Sequence, residues 1–215
     1  MGDFISMTAN WVPFKQANAV KVLSKTQVYQ GYHRVWSYTV QYPTFDGGMS
    51  LPVVREIIER PHAVAAILYH VATSSIILIE QCRVSLLAQS EDSPWLLEVV
   101  AGLIDPGESE VEALQRESSE EAGCELQHWQ RIATYFPTPG AVSEQIALYA
   151  AEVRALPTQR LHGVLEEAED ICVHIFTVSE ALALLEAGQA KNATTLIALQ
   201  WLALHHTEIF GATGK

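Results

Sequence analysis

Ten of the chain's 25 acidic residues crowd into two short windows, six glutamates within residues 108–121 and four acids within residues 166–170. Carboxylates gathered this way either hold a hard divalent cation such as Mg²⁺ or Mn²⁺ through oxygen, or form an ordinary solvated acidic face. At about 100° per residue, a helix through the first window sets Glu121 about 40° from Glu117, Glu120 about 60° to the other side and Glu110 about 20° away. These four make one stripe, and Val111, Leu114, Ser118 and Ala122 make the neighbouring face, turned to the core. Like charges at i,i+3 and i,i+4 repel, and only Arg116 stands close in sequence to offset them. A purely solvated helix would interleave lysines there, so the cation-holding chemistry is favoured. A cation-filled acidic site takes phosphate as its natural guest, since acid and phosphate repel without the metal.

The elements that must position these groups follow from the pattern on either side. Ser109-Glu110-Val111-Glu112 is a capping box that starts the helix, and Gly123 is placed to end it at C′. Gly102 to Glu108, through Asp105-Pro106-Gly107, makes a sharp turn that brings Ala101 and its carbonyl beside the helix. Upstream, residues 35–42 alternate as a strand, Asp46-Gly47-Gly48 turns, and Leu51 to Ile58 returns. His62 to Tyr69 and Ser75 to Glu80 are apolar enough for interior strands, and one more strand spans Trp95 to Ala101. Strands recur near residues 130–136, 145–153 and 171–178; a helix capped by Ser179 runs to Glu186, and another runs from about Asn192 to His206. Strands flanking one central helix, with helices at the end, predict a mixed α/β sandwich rather than a doubly wound parallel fold.

Composition narrows the rest. The 215 residues are 49% hydrophobic and 18% charged with a net charge of −12, as in ordinary globular proteins. Without a basic block the chain offers no surface that tracks nucleic-acid phosphates. No run reaches the roughly 18 apolar residues of a membrane span. Cys82, Cys124 and Cys172 are odd in number and lack Cys-x-x-Cys spacing, which argues against a disulfide framework and a zinc site. Together with the absence of a basic-then-apolar leader pattern, this gives a cytoplasmic expectation. No Walker loop, nucleophile elbow or His-Glu-x-x-His motif is present, and only the paired acids leave a glycosidase formally open.

The segment Gly102 to Cys124 resembles the Nudix box, Gly-x5-Glu-x7-Arg-Glu-U-x-Glu-Glu-x-Gly-U, where U is apolar. Gly102, Glu108, Arg116, Glu117, Glu120, Glu121, Gly123 and Cys124 fill its positions, and Ser118 departs from it at the first U. Pro139, 16 residues after Gly123, and the stretches Leu78–Arg83, Pro94–Glu98, Glu169–His174 and Ile197–Leu202 are similar to the bacterial ADP-ribose pyrophosphatase branch. The resemblance implies an α/β/α Nudix sandwich with a mixed sheet over residues 59–215. It also implies an N-terminal β-rich segment, residues 1–58, exchanged between the subunits of a homodimer.

It implies Mg²⁺-dependent hydrolysis of ADP-ribose to AMP and ribose 5-phosphate, with two or three ions per site and Mn²⁺ as a substitute. A GDP-hexose or another nucleoside-diphosphate sugar is the alternative substrate, and a non-hydrolysing ADP-ribose sensor is the alternative class. By the same resemblance Glu117, Glu121, Glu169 and the Ala101 carbonyl are metal ligands, Glu120 is a further or water-mediated one, and Arg116 orients the glutamates. Glu167 is the general base, with Glu166 and Glu169 close enough to exchange roles with it. Arg55 and Arg83 reach the nucleotide end and the diphosphate, Glu144 the terminal ribose, and Gly102, Leu103 and Pro139 line the substrate. Tyr32 and His33 stand where a partner subunit's aromatics meet adenine; an ordinary strand with core tyrosines is the other reading of that segment.

Overall fold

The structure, a computed structural model, describes residues 19–89 and 93–211, and the side chains of Gln89 and Glu167 lie outside what it describes. The described residues divide into two compact units, one within Met1–Arg60 together with Gly140–Ser143, the other within Pro61–Pro139 together with Glu144–Lys215.

In the first unit β1 (Lys21–Gln30), β2 (Arg34–Gln41) and β3 (Val53–Glu59) form an antiparallel sheet in that order. Its return strand thus begins two residues later than the Leu51 expected, after Pro52. Lys25 Nζ and Tyr38 Oη both donate to Glu59 Oε1, at 2.7 and 2.5 Å, tying all three strands together. Residues 140–143 join this unit through Ile58 N–H to Ala141 O, 2.8 Å, and Ser143 N–H to Ile58 O, 3.1 Å.

The second unit is built on β4 (Ala63–His70), β5 (Ser75–Cys82), β6 (Trp95–Glu98), β7 (Val100–Leu103), β8 (Leu126–Tyr135), β9 (Ile146–Val153), β10 (Leu161–His162) and β11 (Ile171–Thr177). The helices are α1 (Glu110–Ala122), α2 (Val178–Glu186) and α3 (Ala193–Phe210). The sheet order is β10-β11-β5-β4-β9-β8; β4 and β9 run parallel and the other pairs antiparallel. Strand alternation sends Val64, Ala66, Leu68, Ile77 and Ile79 to a core with Ala113 and Leu114 of α1. The intervening Ala65, Ile67, Tyr69, Ile76 and Leu78 pack with Ala198, Leu199 and Leu202 of α3 on the opposite face. The result is a helix–sheet–helices sandwich with a mixed sheet. No helix among the described residues is long and apolar enough to cross a membrane.

Two expectations are corrected. The single strand from Trp95 to Ala101 is broken at Val99: β4 and β5 pair only near their hairpin, Leu68 to His70 against Ser75 to Ile77, and then diverge. β6 pairs with β5 and β7 with β4, so the chain changes partners within one residue. Helix α2 is capped by Thr177, not Ser179, since the Thr177 hydroxyl accepts from Glu180 N–H and Glu180 returns a bond to Thr177 N–H.

Ser118 of α1 is fully buried, and its hydroxyl has no hydrogen-bond partner. An unsatisfied buried hydroxyl costs about 1–3 kcal/mol. Ser118→Ala is therefore expected to raise stability by about 1 kcal/mol in urea denaturation; a loss of stability would show that the hydroxyl is held.

Candidate active site

The partner change at Val99 places the backbone of β7 against the C-terminal half of α1. Asp105-Pro106-Gly107-Glu108 closes a turn by Glu108 N–H to Asp105 O, 3.0 Å, with Gly107 at φ 90° where such a turn needs a left-handed residue. Ser109 accepts from Glu112 N–H and Glu112 closes the capping box, so α1 starts at a defined register. At the other end Gly123, at φ 61°, donates its N–H to Ser118 O and Ser119 O.

Within that frame Glu121 is 2% exposed and Glu117 9% exposed, so the two carboxylates face the protein rather than solvent. Glu121 Oε2 accepts from Ala101 N–H at 2.9 Å. Glu117 lies so close to β7 that a Cβ on Gly102 would overlap its carboxylate, which would have to move away from Arg116 to make room.

Arg116 uses all five of its N–H donors on this cluster. Nε donates to Glu108 Oε1 at 3.0 Å, and Nη2 to Glu108 Oε2 at 3.1 Å and Leu103 O at 3.0 Å. Nη1 donates to Glu117 Oε1 at 2.7 Å and Glu120 Oε2 at 3.0 Å. One guanidinium thus sets the orientation of three glutamates and fastens them to the end of β7.

Glu110 does not share in this stripe. Arg131 of β8 and Tyr149 of β9 both donate to its Oε2, which withdraws it from the carboxylate group.

The second acidic window is brought to the first by backbone. Gly163 N–H donates to Glu120 O at 3.1 Å, and Leu165–Glu167 forms a single 3₁₀ turn ending at Ala168, φ 56°. That left-handed conformation costs an alanine roughly 1–2 kcal/mol. Glu169 Oε2 accepts from Val164 N–H at 3.2 Å, and its charge is felt by both Glu117 and Glu121. The Glu167 side chain lies outside the described residues.

Burial, opposed by the bond from Ala101 N–H, pushes the Glu121 carboxyl up to about 8, with the charges of Glu117 and Glu169 adding to the rise. Glu117 is raised too, first by burial and against the pull of Arg116. Glu108, by contrast, is held below the usual carboxylate range by its bonds from Arg116. Buried carboxylate oxygens with too little positive charge around them are the kind of group a hard divalent cation would relieve.

Arg83 reaches this neighbourhood through a support that the sequence pattern did not reveal. Its Nε donates to Glu98 Oε2 at 2.8 Å, while Asn192 Nδ2 donates to Glu98 Oε1 at 2.8 Å. Asn192 also caps α3, and Thr195 one turn on accepts from Val99 N–H at 3.1 Å. The only signal in the sequence is an acid, Glu98, closing an otherwise apolar strand. Glu144 is buried and its charge acts on Tyr135, whose hydroxyl donates to Thr194 Oγ1 at 2.7 Å; Pro139 is exposed on the loop after β8. Arg55, Tyr32 and His33 belong to the first unit. There Arg55 donates to Val54 O, and Tyr32 meets His33 edge-on at 4.9 Å. Tyr32 is 87% exposed in the turn between β1 and β2, which excludes it as a core tyrosine.

The family model of the NUDIX domain matches residues 61–198. The chain belongs to the Nudix family. Among its relatives is the ADP-ribose pyrophosphatase of Escherichia coli (strain K12), 38% identical over 189 residues, which cover 88% of this chain and 90% of that protein. The ADP-ribose pyrophosphatase of Haemophilus influenzae is 33% identical over 192 residues, 88% of each chain. The GDP-mannose pyrophosphatase of Yersinia pestis is 30% identical over 179 residues, 82% of this chain and 87% of that one. A solved structure described as an ADP compounds hydrolase superposes with a TM-score of 0.66 at 24% identity, over 89% of this chain and 98% of its own, and shares the Nudix fold. A Nudix pyrophosphohydrolase works with divalent metal, and the buried oxygens of Glu117 and Glu121 are chemically suited to that partner.

The raised Glu121 has a consequence for metal-free protein. Between its ordinary value of 4.5 and about 8, the folded state keeps a proton that the unfolded chain has released, so stability falls as pH rises across that window. In excess chelator the urea midpoint is expected to drop from about pH 5 to 8, and less steeply in Glu121→Gln. Equal slopes would show that the carboxyl is not desolvated.

Proposed function

We propose that this protein hydrolyses the diphosphate bond of ADP-ribose, giving AMP and ribose 5-phosphate, with Mg²⁺ as its cofactor, two or three ions per site, and Mn²⁺ as a substitute. The observation that carries this reading is the 38% identity to an ADP-ribose pyrophosphatase across 88% of the chain. The buried, Arg116-ordered carboxylates support it.

The bound ions supply positive charge for the diphosphate and make a water more acidic. The rest of the chemistry belongs to the chain. Glu117 and Glu121 hold the metal side of the site, with Glu169, Glu120 and the Ala101 carbonyl completing the donor set. Arg116 keeps Glu117 and Glu120 in fixed orientation, so the donor set is formed before substrate arrives. Glu167 takes the proton of the water that attacks phosphorus in line. Arg83, aimed by Glu98, meets the diphosphate; Gly102, Leu103 and Pro139 line the substrate, and Glu144 binds the terminal ribose. Arg55 serves the nucleotide end, and Tyr32 and His33, supplied by the partner subunit through the exchanged N-terminal segment, meet the adenine.

Residues 1–58 are read as a dimerisation segment beside the catalytic domain of residues 59–215. Val22, Val28, Tyr29 and Val54 of its sheet are more than half exposed, apolar surface that a second copy of the chain would cover. The free cysteines of the described residues accord with a cytoplasmic enzyme. Hydrolysis of a GDP-sugar is the second reading, favoured by the 30% identity to a GDP-mannose pyrophosphatase.

Product mass spectrometry on a mixed panel of nucleoside-diphosphate sugars, run with Mg²⁺ in H₂¹⁸O, tests substrate and reaction together. ADP-ribose should be consumed first, with the heavy oxygen in one of its two phosphate products; preferential loss of guanosine compounds would select the second reading. Glu167→Gln is expected to lower turnover at saturating Mg²⁺ by about 10²–10⁴-fold. A near-normal rate there, with Glu166→Gln or Glu169→Gln inactive, would move the base to one of those residues.

A further inference from the structure

On the sheet face opposite α1, three metal-ligating side chains of different chemistry meet. Cys172 and Glu80 are direct cross-strand partners on β11 and β5, and His174 lies two residues along β11 from Cys172. Ile79, Ile171 and Val173 point into the α1 core, whereas Leu78 and Phe176 pack on the α2–α3 side. Strand alternation therefore turns Glu80, Cys172 and His174 away from the catalytic carboxylates. One ligand atom from each lies within 4.8 Å of the other two, and all three residues are half-buried. His174 Nε2 stands 2.7 Å from Glu80 Oε2, and Arg160 Nε donates to Cys172 Sγ at 3.1 Å.

We propose that Glu80, Cys172 and His174 form a second metal site, one that takes Zn²⁺ or a similar borderline-soft divalent ion rather than Mg²⁺. A thiolate, an imidazole nitrogen and a carboxylate oxygen are the donor types that select such ions, whereas Mg²⁺ takes oxygen alone. Ligand atoms around a tetrahedral Zn²⁺ sit roughly 3.3–3.8 Å apart, so the ion enters by spreading the His174–Glu80 contact by a fraction of an ångström to about an ångström. Three protein ligands leave one position for water. On binding, the Cys172 thiol releases its proton to solvent, and thiolate plus carboxylate neutralise the ion. Arg160 then supplies the outer hydrogen bond that ligating sulfur atoms take.

The ion would tie β11 to β5 immediately after the Glu166–Asp170 segment, which runs directly into β11. It is a clamp on the strand that follows the second acidic window. The inference does not depend on the substrate proposed above.

Co²⁺ is the probe, because a thiolate gives it a near-ultraviolet charge-transfer band that oxygen ligands cannot. Reduced, chelator-stripped protein titrated with Co²⁺ should develop that band, and Zn²⁺ should abolish it. Cys172→Ser should lack the band, and His174→Gln should bind Co²⁺ at this site about tenfold more weakly or worse. No band in the unsubstituted protein, or an undiminished one in Cys172→Ser, would overturn the site. Circular dichroism and Mg²⁺-dependent turnover of Cys172→Ser establish that it is folded, and separate failure here from failure of the ADP-ribose reading.

Discussion

Two glutamates one helical turn apart are buried with too little positive charge around them, and much of the surrounding structure exists to hold them there. Burial of Glu117 and Glu121 disfavours their ionised forms, and the pair repel each other along α1. The counterweight is small. Arg116 is hydrogen-bonded to Glu108, Glu117 and Glu120, and a single backbone N–H serves Glu121. Such a balance stabilises the fold poorly by itself, and under the proposed function a divalent cation would relieve it, gaining from the same low-dielectric surroundings that penalise the carboxylates.

The sheet supplies the room. β4 and β5 part beyond their hairpin, and the gap is filled by β6 on one strand and β7 on the other, with Val99 between them. The partner change exposes the backbone of Ala101, Gly102 and Leu103 to α1, where N–H, bare Cα and C=O each meet a different member of the cluster. Val99 itself is pinned through Thr195, and Glu98 through Asn192, so the N-terminus of α3 on one face of the sheet steadies what α1 needs on the other. Packing on both faces therefore converges on the same short stretch of chain.

The second acidic window joins by similarly local means. One bond from Gly163 to the Glu120 carbonyl, and a tight turn at Ala168, hold Glu169 within electrostatic reach of α1. Placing another acid there deepens the deficit of positive charge rather than relieving it, a deficit that the metal of the proposed function would offset.

The sequence by itself determined the helix with its capping box and closing glycine, the acidic stripe of Glu117, Glu120 and Glu121, and the mixed sandwich. These depend on local period, turn chemistry and residue spacing, all of which are written in contiguous residues. Only the tertiary structure decided that the stripe is buried, that Glu110 leaves it for Arg131 and Tyr149, and that Glu98 and Asn192 stand behind Arg83. It also broke the single strand expected from Trp95 to Ala101, moved the cap of α2 from Ser179 to Thr177 and set Cys172 and His174 beside Glu80. Apart from the Thr177 cap, whose Thr-x-x-Glu capping box is present in contiguous residues, each of these joins residues far apart in the chain or depends on which strand wins a partner. Such outcomes follow from the packing of the whole sheet, and no window of sequence contains them.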